Sequence, residues 1–288
     1  WLYFCWQLDI KAITLHTRKH LNKEIKNIGS TRNSLVPHFT FTGKMHTSSI
    51  DPILLKEIFR LRYEVYCLEC QFLDPLDYPD GLEIDSYDQR SFQVAAHNLE
   101  GLLVGSMRFV LAKEGQKFPF EEHCSTFDDF TFPPREQCGE VSRLVVRKSY
   151  RRRAGDSLQG MSKGFQEQGN VSNIGQPERN TESNDNQRRN NSPQTLIGMY
   201  REIFRFCRRN GVNYCFGAME RSLARLLNRI GLCFIPIGPQ GDYYGKVIPY
   251  ILNLDEMEAD LPKANAFLGH WFKEDPETPY AAVGEELE

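Results

Sequence analysis

Neither a Gly-rich phosphate loop nor a His-Glu-x-x-His pair occurs in the 288 residues, so nucleotide-loop and zinc-helix chemistries have no motif to stand on. Long apolar runs are missing as well: Trp1–Leu8 is far short of the ~20 residues that cross a bilayer, and the remainder is too polar to supply a span. Gly (21) and Pro (15) occur at ordinary levels beside 40% apolar and 25% charged residues, which excludes a collagen-like chain, a coiled-coil rod and a wholly disordered chain. Of the eight cysteines only Cys67 and Cys70 form a Cys-x-x-Cys pair, and no second pair could complete a zinc site with His123, Cys124 or Cys138, so no metal is expected. The thiols suit a reducing bacterial cytoplasm.

Charge is present but unevenly spread. Ten acidic residues face only Lys263 and Lys273 over residues 255–288, leaving that segment at −8 and the other 254 residues at +5 against a whole-chain net charge of −3. An anionic partner therefore suits the body of the chain. Residues 1–50 mix apolar and basic positions without a sustained period and read as an uncertain leader, with Met45 an expected start. Residues 256–288 read as an acidic tail.

Between them the hydrophobic pattern describes one domain over residues 51–255. Asp51-Pro52 opens a helix whose apolar positions run from Ile53 to Leu68 at three- and four-residue steps. Residues 91–99 and 102–112 read as a hairpin and Val141–Val146 as a strand. From Gly155 to Gln194 there are seven Asn, six Gln, five Ser and one aromatic residue, too little apolar surface to offset ordering; residues 156–192 are expected to be a disordered insertion. A helix from Leu196, a strand over 213–219, a helix over 220–230 and strands over 233–237 and 247–254 follow. The expected class is mixed α/β (α+β) around one sheet.

Chemistry-bearing residues sit where a core should be apolar. Glu83 and Asp85 point the same way in an extended segment, so they can converge on one cation, although an acidic surface loop has the same composition. Glu140 and Ser142 share one face of their strand, and Arg143 shares the other with Val141 and Val145. Arg62 and Arg108 interrupt apolar patterns in the same manner. Such charges need partners, which makes a pre-organised polar site or a buried ion-pair network. Arg143–Arg153 holds six basic residues and no acid, directly after a strand, where phosphates meet backbone N–H groups and arginine forks.

In order and spacing, Leu61-Arg62-Tyr63-Glu64-Val65-Tyr66, Glu83-x-Asp85-x-Tyr87-Asp88, Gly105-Ser106-Met107-Arg108 and Glu140-Val141-Ser142-Arg143-Leu144-Val145-Val146 resemble the acyl-homoserine lactone synthases. Tyr66-Cys67-Leu68-Glu69-Cys70-x-Phe72-Leu73 and Ile237-Gly238-Pro239 with Tyr244-Gly245 are most similar to their relatives, the N-acyl amino acid synthases and the acyltransferases of exosortase (PEP-CTERM) systems. The resemblance implies a GNAT-like fold whose sheet splays at the fourth strand and takes the pantetheine arm of an acyl thioester in the gap. It implies that Arg62 anchors the amino-terminal substrate region with Asp85 and Asp88, that Glu83, Arg108 and Arg143 complete the network, and that Tyr66 and Phe72 line the site.

On this reading Glu140, with Glu83 and Asp85, forms the catalytic group, Glu140 lying nearest the reacting amine. A carboxylate is the expected base, because the acceptor ammonium must lose a proton before it attacks a thioester. Backbone N–H groups beside Leu144 or Val145, next to Ser142, are the expected oxyanion donors. Arg147, Lys148, Arg151, Arg152 and Arg153 are expected to bind the donor, acyl carrier protein or CoA, with Asp156 in the loop favouring the carrier. No permanently bound cofactor and no nucleic-acid partner are expected; the acceptor is a small-molecule amine. A true acyl-homoserine lactone synthase and a non-catalytic carrier-binding module are the alternatives.

Overall fold

The computed structural model describes residues 39–46, 52–151 and 192–273. Residues 156–191 of the insertion, Arg152, Arg153, most of the amino-terminal leader and residues 274–288 lie outside the described residues. The strands are β1 (Phe39–Met45), β2 (Ser91–Asn98), β3 (Leu103–Leu111), β4 (Cys138–Val146), β5 (Tyr214–Met219), β6 (Ile235–Pro236), β7 (Gly241–Asp242) and β8 (Lys246–Asn253). The helices are α1 (Pro52–Tyr63), α2 (Ser192–Arg209), α3 (Arg221–Arg229), α4 (Leu254–Ala264) and α5 (Ala266–Lys273).

The strands form one sheet in the order β1-β2-β3-β4-β5-β8-β6, with β7 pairing β8. All neighbours run antiparallel except β4 and β5. A parallel pair needs a crossover, and α2 supplies its helix. Ser91–Ala96 is buried at every position because helices cover both faces of β2. On one face Phe92 stacks on Phe206 of α2 at 4.1 Å; on the other Ala95 packs with Leu54, Ile58 and Leu61 of α1.

Two differences from the sequence expectation enlarge the sheet and its cover. Phe39–Met45, expected within the leader, is the edge strand β1, paired with β2 from Phe39↔Asn98 to Met45↔Phe92. Its alternation of Phe39, Phe41, Gly43 and Met45 with Thr40, Thr42 and Lys44 is strand-like, but short beside the basic surroundings. Residues 254–273, expected largely as tail, form α4 and α5. The Asn253 side chain accepts from the Asp255 and Glu256 N–H groups, and Leu261, Trp271 and Phe272 are buried. The acids occupy the exposed side, so composition concealed the apolar one.

The positions of three further elements set up the site. The helix expected to run to Leu68 is α-helical only to Tyr63 and π-helical over Glu64–Glu69. The strand expected over 233–237 shrinks to Ile235–Pro236. β4 and β5 pair only from Cys138↔Tyr214 to Glu140↔Phe216; beyond that, β4 stays with β3 and β5 stays with β8, so the sheet opens between them.

Candidate active site

The opening holds a cleft of about 330 Å³. One wall is β4, from Glu140 through Leu144, and the other is Ala218 and Met219 of β5. Tyr66 and Phe72 line it from the π-helical side, Tyr243 and Tyr244 from the turn between β7 and β8, and Tyr200 from α2.

Strict strand alternation sends Arg143 away from Glu140 and Ser142. A bulge overturns that expectation: Arg108 pairs with Ser142 and Ser106 with Val145, so Arg143 and Leu144 together oppose Met107. Arg143 takes a left-handed φ of 48° at the bulge. Its guanidinium donates from Nε to Glu83 Oε1 at 3.2 Å and from Nη2 to Asp85 Oδ2 at 3.1 Å. It also lies 5.3 Å from the ring centre of Tyr66 and 5.6 Å from that of Tyr244.

Behind this wall is a lattice of three arginines and three carboxylates. Arg62, fully buried, donates to Glu83 and makes a bidentate pair with Asp88 at 2.7 and 3.1 Å. Arg108 donates to Asp85 at 2.5 Å, Asp88 at 3.2 Å and Ser142 Oγ at 3.0 Å. Gln93 Nε2 and the Asp85 N–H supply two further donors to Asp88, at 2.8 Å each. Burial alone would raise the Glu83 and Asp88 pKa values, but their arginine partners outweigh it and both are lowered. Burial likewise opposes the charge on Arg62, yet Asp88 and Glu83 hold its pKa above the usual value.

Glu140 stands apart from this balanced set. It is 1% exposed, and its Oε2 accepts the Phe120 N–H at 2.9 Å. Phe120 lies in an aromatic group with Phe118, Phe132 and Phe216, which excludes water from that side. Burial pushes the Glu140 carboxyl up to about 8, with the Phe120 N–H and the charges of Arg108 and Arg143 only partly opposing it. A carboxyl poised there exchanges protons at working pH, which an ordinary carboxylate does poorly.

The structure thus brings Glu140, Ser142, Arg143, Leu144, Tyr66 and Phe72 to the cleft, with Arg62, Glu83, Asp85, Asp88 and Arg108 as the lattice behind it. The Val145 side chain instead belongs to the apolar core under α1. Arg147 donates to Glu64 at 2.8 Å and to the Leu103 carbonyl at 2.7 Å, and Arg151 pairs with Glu69; Lys148 is exposed. Among the described residues no group of three or more His, Cys, Asp or Glu could hold a metal ion, and no helix is long and apolar enough to cross a membrane.

Sequence reasoning missed four groups. Tyr200, Tyr243, Tyr244 and Glu220 line the cleft but come from distant segments with no shared spacing. Tyr244 adopts φ 54°, rare for a bulky residue. Its ring packs 6.0 Å from that of Phe72 and 6.4 Å from that of Tyr66, bridging the hairpin to the π-helical turn. A Tyr-Tyr-Gly turn after Gly238-Pro239-Gln240-Gly241 was the available signal.

The sequence profile of the acetyltransferase (GNAT) domain matches residues 61–160. No curated protein sequence matches the chain. Among solved structures, TofI in a ternary complex with an inhibitor and MTA is 14% identical with a TM-score of 0.53, over 82% of this chain and 98% of that one. BjaI, a CoA-dependent acyl-homoserine lactone synthase with SAM and isopentyl-CoA, is 16% identical with a TM-score of 0.52, over 80% and 90%. MesI, another CoA-dependent acyl-homoserine lactone synthase, is 16% identical with a TM-score of 0.50, over 82% and 97%. These likenesses show the fold: a GNAT-like open sheet with flanking helices, as the residue blocks implied.

Proposed function

We propose that the protein is an N-acyltransferase that moves an acyl chain from a thioester, on an acyl carrier protein or CoA, to the amine of an amino acid or related small molecule. The observation that carries this reading is Glu140: a buried carboxyl with a pKa near 8 in the wall of a cleft opened by strand splay. One ammonium proton passes to Glu140, and the freed amine nitrogen bonds to the thioester carbonyl carbon. The tetrahedral oxyanion is met by backbone N–H groups at the β4 bulge. Collapse breaks the C–S bond, the second proton lost by nitrogen ends on the departing sulfur, and Glu140 returns its proton to solvent.

The lattice supports the same reading. Three arginines against Glu83, Asp85 and Asp88 leave no surplus positive charge to ionise Glu140 in the empty site. An incoming ammonium supplies that charge, so the acceptor favours the ionised base.

For the donor, Arg147 and Arg151 are already paired, but Arg221, Arg225 and Arg229 lie on one exposed stripe of α3, whose Leu223 lines the cleft. A stripe of that charge suits an acidic carrier protein. The exosortase-associated type of acceptor rests on the residue blocks alone.

A lactone synthase using S-adenosylmethionine is favoured by the solved neighbours. Arg143 already lies over one face of Tyr66 and of Tyr244, so a second cation such as a sulfonium has less aromatic surface to meet, and this favours an amino acid acceptor. The test is purified protein with acyl-carrier protein or acyl-CoA and a panel of amines, read by mass spectrometry. Open-chain amides formed by wild type and lost in a folded Glu140→Gln variant are expected. Lactone as the product would replace the acceptor assignment. Carrier binding without any amide across the panel would leave only a binding module.

A further inference from the structure

The segment between β3 and β4 contains a closed ring of contacts that the proposed reaction does not use. Arg135 begins the short turn that leads directly into β4, the strand carrying Glu140. Its guanidinium reaches back to Glu121, donating to both carboxylate oxygens, at 2.7 Å for Nη2. Glu121 in turn accepts the Phe118 N–H at 2.7 Å, closing the turn Pro119–Glu122. That turn aims the Phe120 N–H at Glu140 Oε2. The path runs from Arg135 along the chain to Glu140, across to Phe120, and back through Glu121.

The same guanidinium is a wall of the aromatic group. It lies 5.2 Å from the Phe118 ring centre and 4.8 Å from that of Phe132, and Phe118 and Phe120 are fully buried against Phe216. Neither Arg135 nor Glu121 lines the cleft.

We propose that Arg135 and Glu121 are positioning residues for Glu140, clamping from outside the cleft the aromatic loop that seats and dries its carboxyl. The clamp acts through water exclusion and one backbone donor. Other groups face Glu140 and must be held constant: Arg108 from β3, Arg143 from β4, and Tyr87 and Arg90 from the turn before β2. Cys124 of the loop and Tyr243 of the hairpin complete them. The inference rests on the assignment of Glu140 as base only for its functional meaning.

The test follows the Glu140 carboxyl carbon by NMR in 13C-glutamate-labelled full-length protein, assigned by its loss in Glu140→Gln. The double variant Glu121→Gln/Arg135→Met opens the clamp from both sides, but the Glu121 charge itself raises the Glu140 pKa, so part of the downward shift is direct. Arg135→Lys, which keeps both charges, isolates the effect of the loop. Opening the loop should move the midpoint down from about 8 by one unit or more, about a tenfold change in proton affinity. Arg135→Lys keeps the charge but loses the fork and the planar stack, and should move it in the same direction by less. An unchanged midpoint in folded Arg135→Lys, or in the folded double variant, overturns the proposal. Full amide synthesis by Glu140→Gln would sink the catalytic assignment while leaving the NMR result standing, so the two failures are separable.

Discussion

Arg62 and Asp88 meet face to face with neither side chain exposed: two guanidinium nitrogens donate to the two carboxylate oxygens at 2.7 and 3.1 Å. Removing one partner strands a charge in the interior. Arg62→Met or Asp88→Asn should each lower stability by about 3–5 kcal/mol, measured by urea unfolding. The double variant should lose less than the sum of the two, because neither charge is then left alone.

The carboxylates of this lattice also predict acid lability. Glu83 and Asp88 have lowered pKa values, so the folded state binds fewer protons than the unfolded one as pH falls through the ordinary carboxylate range near 4. Their contribution is complete above that range and is lost on descending through the folded pKa values. Midpoints of urea unfolding taken from pH 6 to 2 should fall most steeply below pH 4.

Glu140 has the opposite sign. Its pKa is raised from 4.5 to about 8, so the folded state keeps a proton that the unfolded state gives up, and stability contributed by this group falls as pH rises between those values. Glu140→Gln should therefore be more stable than wild type at pH 8, on the order of a few kcal/mol, with the advantage gone below pH 4.5. Amide synthesis in wild type should rise with pH through about 8 as the base ionises. Equal thermal midpoints for the two proteins at pH 8 would contradict the buried placement.

Tyr243 faces the cleft with its phenol pushed up to about 12 by burial, so it remains an O–H donor throughout the working range. His123 stacks on its ring at 4.1 Å and fixes its plane. Tyr243→Phe should reduce kcat about 10²-fold with little change in KM, as expected for a donor to charge that develops only during reaction. If a thioester with a more acidic thiol restores the rate, the donor serves the departing sulfur; if the defect persists, it serves the oxyanion.

Gly238 keeps the hairpin seated. An added Cβ would collide with the Ser125 carbonyl, beside the Phe127 N–H bond to the Ile237 carbonyl at 2.8 Å. Gly238→Ala should displace the turn carrying Tyr243 and Tyr244 and lower kcat at least about tenfold, with thermal unfolding shifted by only about 1–3 kcal/mol.

Arg221→Glu with Arg225→Glu on α3 should raise KM for a carrier-bound donor, weaken its salt dependence and leave KM for the amine unchanged. Equal kinetics with wild type would remove this stripe from donor binding.

Local information sufficed for much of this. Apolar periodicity located α1, β2, β3, β4, α2, β5, α3 and β8, because those signals depend on neighbours within one or two turns. Misplaced charges at Arg62, Arg108, Glu140 and Arg143 pointed to residues that the fold gathers at the cleft and in the lattice behind it, since a charge in an apolar pattern needs a partner. Which partner each took depended on the tertiary structure. Alternation along β4 misplaced Arg143, because a bulge is defined by the facing strand and not by the residues within it. For Tyr243 and Tyr244 the local pattern marked a turn, but not that the turn faces the cleft.

By itself, then, the sequence determined α1, α2 and α3, most strands and the stock of acids and arginines, all set by spacing and residue type. Only the tertiary structure decided that β4 and β5 part after Glu140, that three arginines cancel Glu83, Asp85 and Asp88, and that a ring of phenylalanines dries Glu140. Solvent exclusion and charge balance are properties of groups gathered from distant segments, and it is they, more than any single residue, that lift the pKa of Glu140 above that of a common glutamate.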